Sequence, residues 1–371
     1  MSTFPATIKA LKTQPGGGVA VVDHPFGTRE DIKQLAPDAV LVKVAAMSSK
    51  TNADSSCSWK HAIGPWRPAE GLEYVCGCDS AGEVVAVGSN VKHVSVGSRV
   101  AGFVFGTSNP TNGSYAEYVT FNKAVTFALP EGMTYTEAAA MPIPHLTAVQ
   151  ALYIRLQLSP PSSPSKEGKS FLVWGGSTAV GHHAIQLAAA SGYKVYTTAS
   201  PAKHEFLKSI GATECFDYKL PNVAELIKKA SGGGVDFALD CAAENGSTDA
   251  TVDAIKASGG KVMTTLPISD ETKNRRAQVD VEFTLVYTEL GYGLTFANAI
   301  TFPALPEDNA QTLAWVTKEL PAVLAGWKDG KSSKLTGAKL RECPGGLAKV
   351  VEGLEIMKSG AYSAEKLVYA F

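Results

Sequence analysis

The chain has 371 residues, 45% of them hydrophobic and 19% charged, with 34 Lys and Arg set against 35 Asp and Glu. A formal net charge of -1 argues against a nucleic-acid groove or an anionic membrane surface as the main partner, because both select for clustered positive charge. This much apolar material excludes a disordered chain, and the length predicts two domains at roughly 100–200 residues each.

The N-terminal run MSTFPATIKALKTQPGGG has neither the basic nor the continuous apolar segment of a secretory signal. No window reaches the ~18 uninterrupted apolar residues of a membrane span, so a cytoplasmic protein is expected. From Thr7 to about Pro130, β-branched segments (VLVKVAAM at 40–47, AGEVVAVG at 81–88, SRVAGFVFG at 98–106, YAEYVTF at 115–121) alternate with Gly, Asn and Pro clusters. That pattern predicts an antiparallel, barrel-like domain. At TYTEAAAMP (134–142) a helix is expected to begin, and LSPPSSPSKEGKS (158–170) reads as a surface loop because proline cannot continue a helix or a central strand.

A βα repeat follows. SFLVW at 170–174 reads as a strand, GGSTAVG as a turn, HHAIQLAAASG as a helix, YKVYTTAS as a strand and PAKHEFLKSIGA as a helix. ECFDY, VDFALDCA and GGKVMTTL continue as strands, with PNVAELIKKASGG a helix between the first two. Strands alternating with helices of this length imply parallel crossovers and a doubly wound α/β sheet. The final EKLVYAF is a strand with no partner in that unit and is assigned to the first domain. The expected organisation is therefore a barrel domain over 1–135, a cofactor domain over 136–309, and a segment over 310–371 that returns to the barrel.

The sharpest signal is Gly175, Gly176, Ser177, Thr178, Ala179, Val180 and Gly181, directly after a strand and directly before a helix. Glycines let the backbone approach a pyrophosphate, and a helix N-terminus offers free N–H groups and a positive dipole end to it. An NAD site places Asp or Glu at the end of the next strand, on the ribose 2′-hydroxyl. Here that strand ends TTASPAKH, without an acid; Ser200 and Lys203 offer a hydroxyl and a cation to a 2′-phosphate, with His204 as a third candidate. NADPH (NADP+) is therefore expected over NADH.

Six cysteines (Cys57, Cys76, Cys78, Cys215, Cys241, Cys343) include no C-x-x-C pair and read as free thiols. The seven histidines are scattered, and no His, Cys, Asp or Glu cluster has metal-ligand spacing. No metal is expected.

The runs GCDSAGEVVAVGSNVKHVSVGSRVAG (77–102), GSYAEYV, EAAAMPIPHLTAVQAL, VWGGSTAVGHHAIQLAAASGYKV and KSGAYSAEKLVYAF resemble the medium-chain dehydrogenase/reductase superfamily over nearly the whole chain. The resemblance implies a GroES-like catalytic β-barrel plus a Rossmann cofactor domain. Where zinc alcohol dehydrogenases carry Gly-His-Glu, this chain has Gly77-Cys78-Asp79, and the family's catalytic cysteine positions fall near Ser48 or Ser49 and near Ile143. The chain thus looks like the zinc-independent quinone and enone reductases. GGST, SPAK, GATECFDY, FALDC and AEKLVYAF bring it closest to the fungal trans-acting enoyl reductases that serve polyketide synthases.

Carried over residue by residue, the resemblance puts the pyrophosphate on Gly175, Gly176, Ser177, Thr178, Ala179 and Val180, and the 2′-phosphate on Ser200 and Lys203. Tyr218 would pack by the adenosine, Thr265 and Leu266 would border the nicotinamide, and Ser363 and Ala364 would close over it. The family's Asn-Pro-Thr-Asp-Trp-Lys motif stands here as Ser55-Ser56-Cys57-Ser58-Trp59-Lys60, which makes Lys60 a catalytic candidate. Thr147 matches the family's nicotinamide-side threonine; helix capping is the competing reading. A substrate pocket is expected between the domains, lined by Trp59, Trp66, Ile143, His145, Gly291, Leu294 and Thr295.

These residues predict an NADPH-dependent reductase of an activated C=C bond, an enone or an enoyl thioester, acting without zinc. A quinone reductase on the same scaffold and a non-catalytic NADPH-binding protein are the alternatives. The expected partner is a small-molecule substrate or an acyl chain carried by a synthase; a monomer and a homodimer are both open.

Overall fold

The computed structural model describes residues 4–26, 34–49, 57–67, 71–329, 335–361 and 365–371. Ser363 and Ala364, expected to close over the nicotinamide, lie outside the described residues, as do Ser55 and Ser56 of the motif before Lys60.

The first domain is built on a seven-stranded sheet. Its centre is β3 (Ala39–Ser48), an almost wholly buried run of apolar and small residues. It pairs antiparallel with β4 (Asp79–Val87) and β6 (Tyr118–Asn122), and β4 in turn with β5 (Arg99–Phe103) and β5 with β7 (Thr126–Ala128). The C-terminal strand β17 (Glu365–Ala370) adds to β3 in the register Val368↔Ser48, and β16 (Lys339–Glu342) lies parallel outside it. The hairpin β1 (Thr7–Thr13) and β2 (Val19–Pro25) closes one side, while α1 (Cys57–Ala62) and α12 (Gly346–Ser359) pack together on the sheet.

The second domain is a six-stranded parallel sheet in the order β10-β9-β8-β11-β12-β13. These strands are β8 (Ser170–Trp174), β9 (Lys194–Thr198), β10 (Glu214–Phe216), β11 (Phe237–Asp240), β12 (Gly260–Thr264) and β13 (Val279–Phe283). The crossover helices are α4 (Ala179–Ala190), α5 (His204–Ser209), α6 (Val223–Ala230) and α7 (Ser247–Ala254). Counted within the sheet this is 3-2-1-4-5-6, so the strand order reverses between β8 and β11 and opens a crevice at their carboxyl ends.

Two helices weld the domains. Thr134 opens α2 (Tyr135–Ala139) through a capping box with Glu137, and Pro142 starts α3 (Pro142–Val149), where its missing N–H costs nothing. Every residue of α3 is buried, and one continuous apolar cluster runs from Phe103 and Phe127 of the barrel through Ile143 and Leu146 to Val173 and Ile185 of the second domain. The junction is also tied by charge. Lys366 of β17 donates to Asp79 Oδ2 at 2.9 Å and to the Ala140 carbonyl at 2.8 Å, and Asp79 Oδ1 accepts the Ile143 N–H at 2.9 Å.

Past α3 the chain widens into a π turn, Gln150–Arg155. This brings Gln150 and Arg155 to a buried polar network with Thr284, Thr288 and Asp308. Asp308 belongs to α9 (Pro306–Ala314), which is followed by a second π turn, Trp315–Glu319. Between β13 and α9 lies the hairpin β14 (Leu294–Phe296) and β15 (Ile300–Phe302), turned through Ala297 and Asn298, both at positive φ. Among the described residues, no helix is long and apolar enough to cross a membrane.

Candidate active site

The glycine turn sits at the carboxyl end of β8, facing the crevice. Gly175 adopts φ +79, a left-handed conformation that a side chain disfavours. A Cβ on Gly176 would fall 2.1 Å from Thr197 Oγ1, and one on Gly181 would fall 2.4 Å from the Gly175 carbonyl. Only hydrogen at these positions lets α4 and β9 close on the turn. Thr178 is the N-cap of α4, its hydroxyl accepting the Gly181 N–H at 3.0 Å, so the N–H groups of Ala179 and Val180 stand ahead of the helical ladder. This cradle fits a dinucleotide pyrophosphate.

Beyond β9, Ser200 precedes the short helical turn Pro201–Lys203 and spends no side-chain hydrogen bond on capping it. His204 is engaged inward, its Nε2 lying 3.0 Å from the Ala199 carbonyl. Tyr218 stands exposed after β10. At the end of β12, the Thr265 N–H donates to the Asp240 carbonyl at 3.2 Å, so Thr265 adjoins the end of β11 while Leu266 turns inward and is buried.

Lys60 comes from the other domain. It lies on α1 with its side chain 15% exposed; its Nζ is 4.9 Å from the centre of the Trp66 ring and 3.9 Å from Glu244 Oε1, in the loop after β11. Thr147 lies in the interior of α3, whose N-cap is Met141, so N-terminal capping does not account for it. It is buried, and its hydroxyl has no hydrogen-bond partner among the described residues.

Of the residues expected around substrate, the structure gathers some and separates others. A cavity of about 370 Å³ is lined by His61, Trp66, Phe105, Tyr292, Leu294 and Thr295. The lining rings are backed by buried ones: Trp66 lies 5.2 Å from Phe296, and Phe105 stacks on Tyr287 at 4.1 Å. Trp59 instead packs into the cluster of Leu347, Val350 and Leu354 from α12. Ile143 is wholly buried at the start of α3, with its N–H on Asp79. His145 is wholly buried too; its Nε2 accepts from Trp315 Nε1 at 3.1 Å and its ring lies 5.3 Å from His183. Gly291 ends the turn Val286–Leu290 at φ +81, close against Asn309. Sequence reasoning did not reach His61, Phe105 or Glu244. The signal for Glu244 was its place just after a strand beside the topological switch, where such a fold collects its ligand contacts.

The positions that the resemblance aligns with the zinc ligands of alcohol dehydrogenases are engaged within the protein. The Ser49 hydroxyl lies 3.1 Å from Tyr115 Oη and 3.0 Å from Tyr369 Oη, Ser48 donates to the Ala139 carbonyl, and Asp79 is paired with Lys366. No group of three or more His, Cys, Asp or Glu among the described residues is arranged to hold a metal.

A GroES-like barrel, a Rossmann sheet with a pyrophosphate cradle at its switch point, and a lysine reaching across from the barrel define an NAD(P)-dependent medium-chain oxidoreductase. Residues 36–131 match the alcohol dehydrogenase GroES-like domain, and residues 179–302 match the zinc-binding dehydrogenase domain. The chain is 34% identical to Trans-enoyl reductase mpsG of Macrophomina phaseolina over 100% of both chains. It is 30% identical to Trans-enoyl reductase opdC of Penicillium oxalicum over 100% of this chain and 98% of that one. The solved CurK enoyl reductase shares the fold at a TM-score of 0.70 and 20% identity, covering 99% of both chains. The chain belongs to the trans-enoyl reductase family.

Proposed function

We propose that the protein uses NADPH to reduce the C=C bond of an α,β-unsaturated acyl thioester of polyketide type, without zinc. The observation that carries this reading is Lys60, directed from the barrel onto the carboxyl end of β11 in the crevice where the glycine turn opens. When bound, NADPH supplies the hydride that adds to the β-carbon of the substrate. The chain's own task is to orient the acyl group and to stabilise the negative charge that appears on the thioester oxygen. Lys60 offers an ammonium for that charge and the buried Thr147 hydroxyl offers a second donor; preorganised donors in a water-poor cleft are what an enolate needs. The α-carbon is then protonated from solvent. The aromatic side chains of His61, Trp66, Phe105 and Tyr292 that line the cavity suit an apolar chain.

NADPH oxidation against an enoyl pantetheine thioester, a simple enone, a benzoquinone and an aldehyde tests the reading, with NADH and added zinc as controls. Turnover of the thioester or the enone, unaffected by zinc, is the expected result; turnover of the quinone or the aldehyde alone would overturn it. Support for NADPH over NADH comes from the hydroxyl of Ser200 and the cation of Lys203 after β9, with no carboxylate in TTASPAKH. Lys203→Glu is therefore expected to weaken NADPH binding by about tenfold or more while leaving NADH binding little changed, since one charge-assisted contact contributes roughly 1.5–3 kcal/mol. Titration of nucleotide fluorescence with both cofactors reads this directly, and equal loss for both would refute the assignment.

A further inference from the structure

We infer that Glu244 is the positioning residue for Lys60, fixing its ammonium at the nicotinamide side of the crevice through a loop held in shape by buried Asp240; this rests on the catalytic role given to Lys60 above. The loop between β11 and α7 is conformationally unusual. Ala243 and Asn245 adopt φ +53 and +54, and Gly246 adopts φ +77. Non-glycine residues in the left-handed region are disfavoured and persist only where the surroundings over-determine them.

Asp240 supplies that constraint. It is wholly buried, and it accepts the N–H groups of Ala242 and Ala243, each at 2.9 Å, and the hydroxyls of Ser247 and Thr248 at 2.6 and 2.8 Å. Ser247 passes the constraint on, because its Oγ accepts the Glu244 N–H at 3.2 Å while its own N–H donates to the Glu244 carbonyl at 3.1 Å. The backbone of Glu244 is thus pinned on both sides. Its carboxylate reaches Lys60 Nζ at 3.9 Å, with the two side chains only 27% and 15% exposed. The same loop borders the cofactor cradle, since a Cβ on Gly175 would lie 3.5 Å from the Ala242 nitrogen.

A surface ion pair contributes little to stability. This one joins two domains beside the reacting centre, so its consequence is orientation: one anion sets where a flexible four-carbon side chain places its charge. Asp240 and Ser247 reach Lys60 through Glu244, so all three are positioning residues.

Two readouts test this. In the full-length protein with reductively methylated, isotopically labelled lysines, the Lys60 resonance, assigned by its loss in Lys60→Ala, is expected to move toward the position of solvent-exposed lysines in Glu244→Gln, because the side chain loses the contact that fixes its surroundings. In enoyl thioester reduction, Glu244→Gln is expected to lower kcat about tenfold, the loss of one charge-assisted contact. The same change in a Lys60→Ala background should have no further effect. An unchanged Lys60 resonance, or losses that multiply in the double variant, would overturn the inference. A moved Lys60 resonance in a protein that turns over no enoyl substrate would keep Glu244 as the anchor of Lys60 and refute only the function proposed above.

Discussion

Lys366→Met is expected to cost about 3–5 kcal/mol of folding free energy, because it leaves the Asp79 carboxylate buried without its cation. The two side chains are each 1% exposed and 2.9 Å apart. Their partners explain the size of the effect. Asp79 also holds the N–H of Ile143 in the first turn of α3, and Lys366 holds the Ala140 carbonyl that ends α2. One substitution therefore loosens the sheet contact of β17 and the start of the helix that carries Thr147. Replacing both partners, as Asp79→Leu with Lys366→Met, removes the uncompensated charge and is expected to recover much of the loss, short of the Ile143 hydrogen bond. Urea denaturation of the three proteins measures this. A single Lys366→Met variant within about 1 kcal/mol of wild type would show that the pair does not hold the junction.

The second large effect is expected in acid. His145 and His183 are buried between α3 and α4, and His182 lies on α4 beside Phe206. Burial lowers the pKa of His145 to about 3 and that of His182 to about 4, and it holds His183 well below the ordinary value. The folded state thus keeps these rings neutral at pH values where the unfolded chain, with histidine near 6.5, takes up protons. The unfolded state then binds more protons, so stability is present above about pH 6.5 and falls as pH drops below it. Each group contributes roughly 1.4 kcal/mol per pH unit, or about 4 for the three.

Glu289 works in the opposite direction. Burial, followed by the nearby Asp308, raises its pKa well above the ordinary value, so folding takes up a proton there, and its contribution grows as pH falls toward about 4.3. The net expectation is a loss of about 3 kcal/mol per pH unit between roughly pH 6 and pH 5. Urea midpoints across that range measure the slope. His183→Gln should flatten it by one proton whatever its effect on stability itself, and an unaltered slope would refute the assignment. Because α4 carries the pyrophosphate turn, nucleotide binding should be lost with the same pH dependence.

What could be read before the fold was known follows from how local each feature is. The glycine turn is one contiguous strand, turn and helix, and its chemistry depends on backbone conformation that Gly175, Gly176 and the Thr178 cap specify within a few residues. The βα alternation and the lone C-terminal strand are likewise written in local hydrophobic period. The hairpin over Leu294–Phe302 was missed because its turn uses Ala297 and Asn298 at positive φ, without the Asn-Gly pair that usually marks such a turn. The expectation of Trp59 and His145 at substrate rests on a pocket between the domains, where ligand clefts usually lie. Which face of α1 and α3 each occupies is set by α12 and by Trp315, elements far along the chain.

By itself, then, the sequence determined the two-domain α/β architecture, the dinucleotide cradle and the absence of an acid after the second strand of the repeat, because each depends on neighbours a few positions away. Only the tertiary structure decided that Lys60 meets Glu244, that Asp79 meets Lys366, and that His145, His183 and Glu289 lie where charge is costly. Ion pairing and desolvation depend on distance in space, and residues remote in the chain are brought within a few ångströms only once both domains have packed.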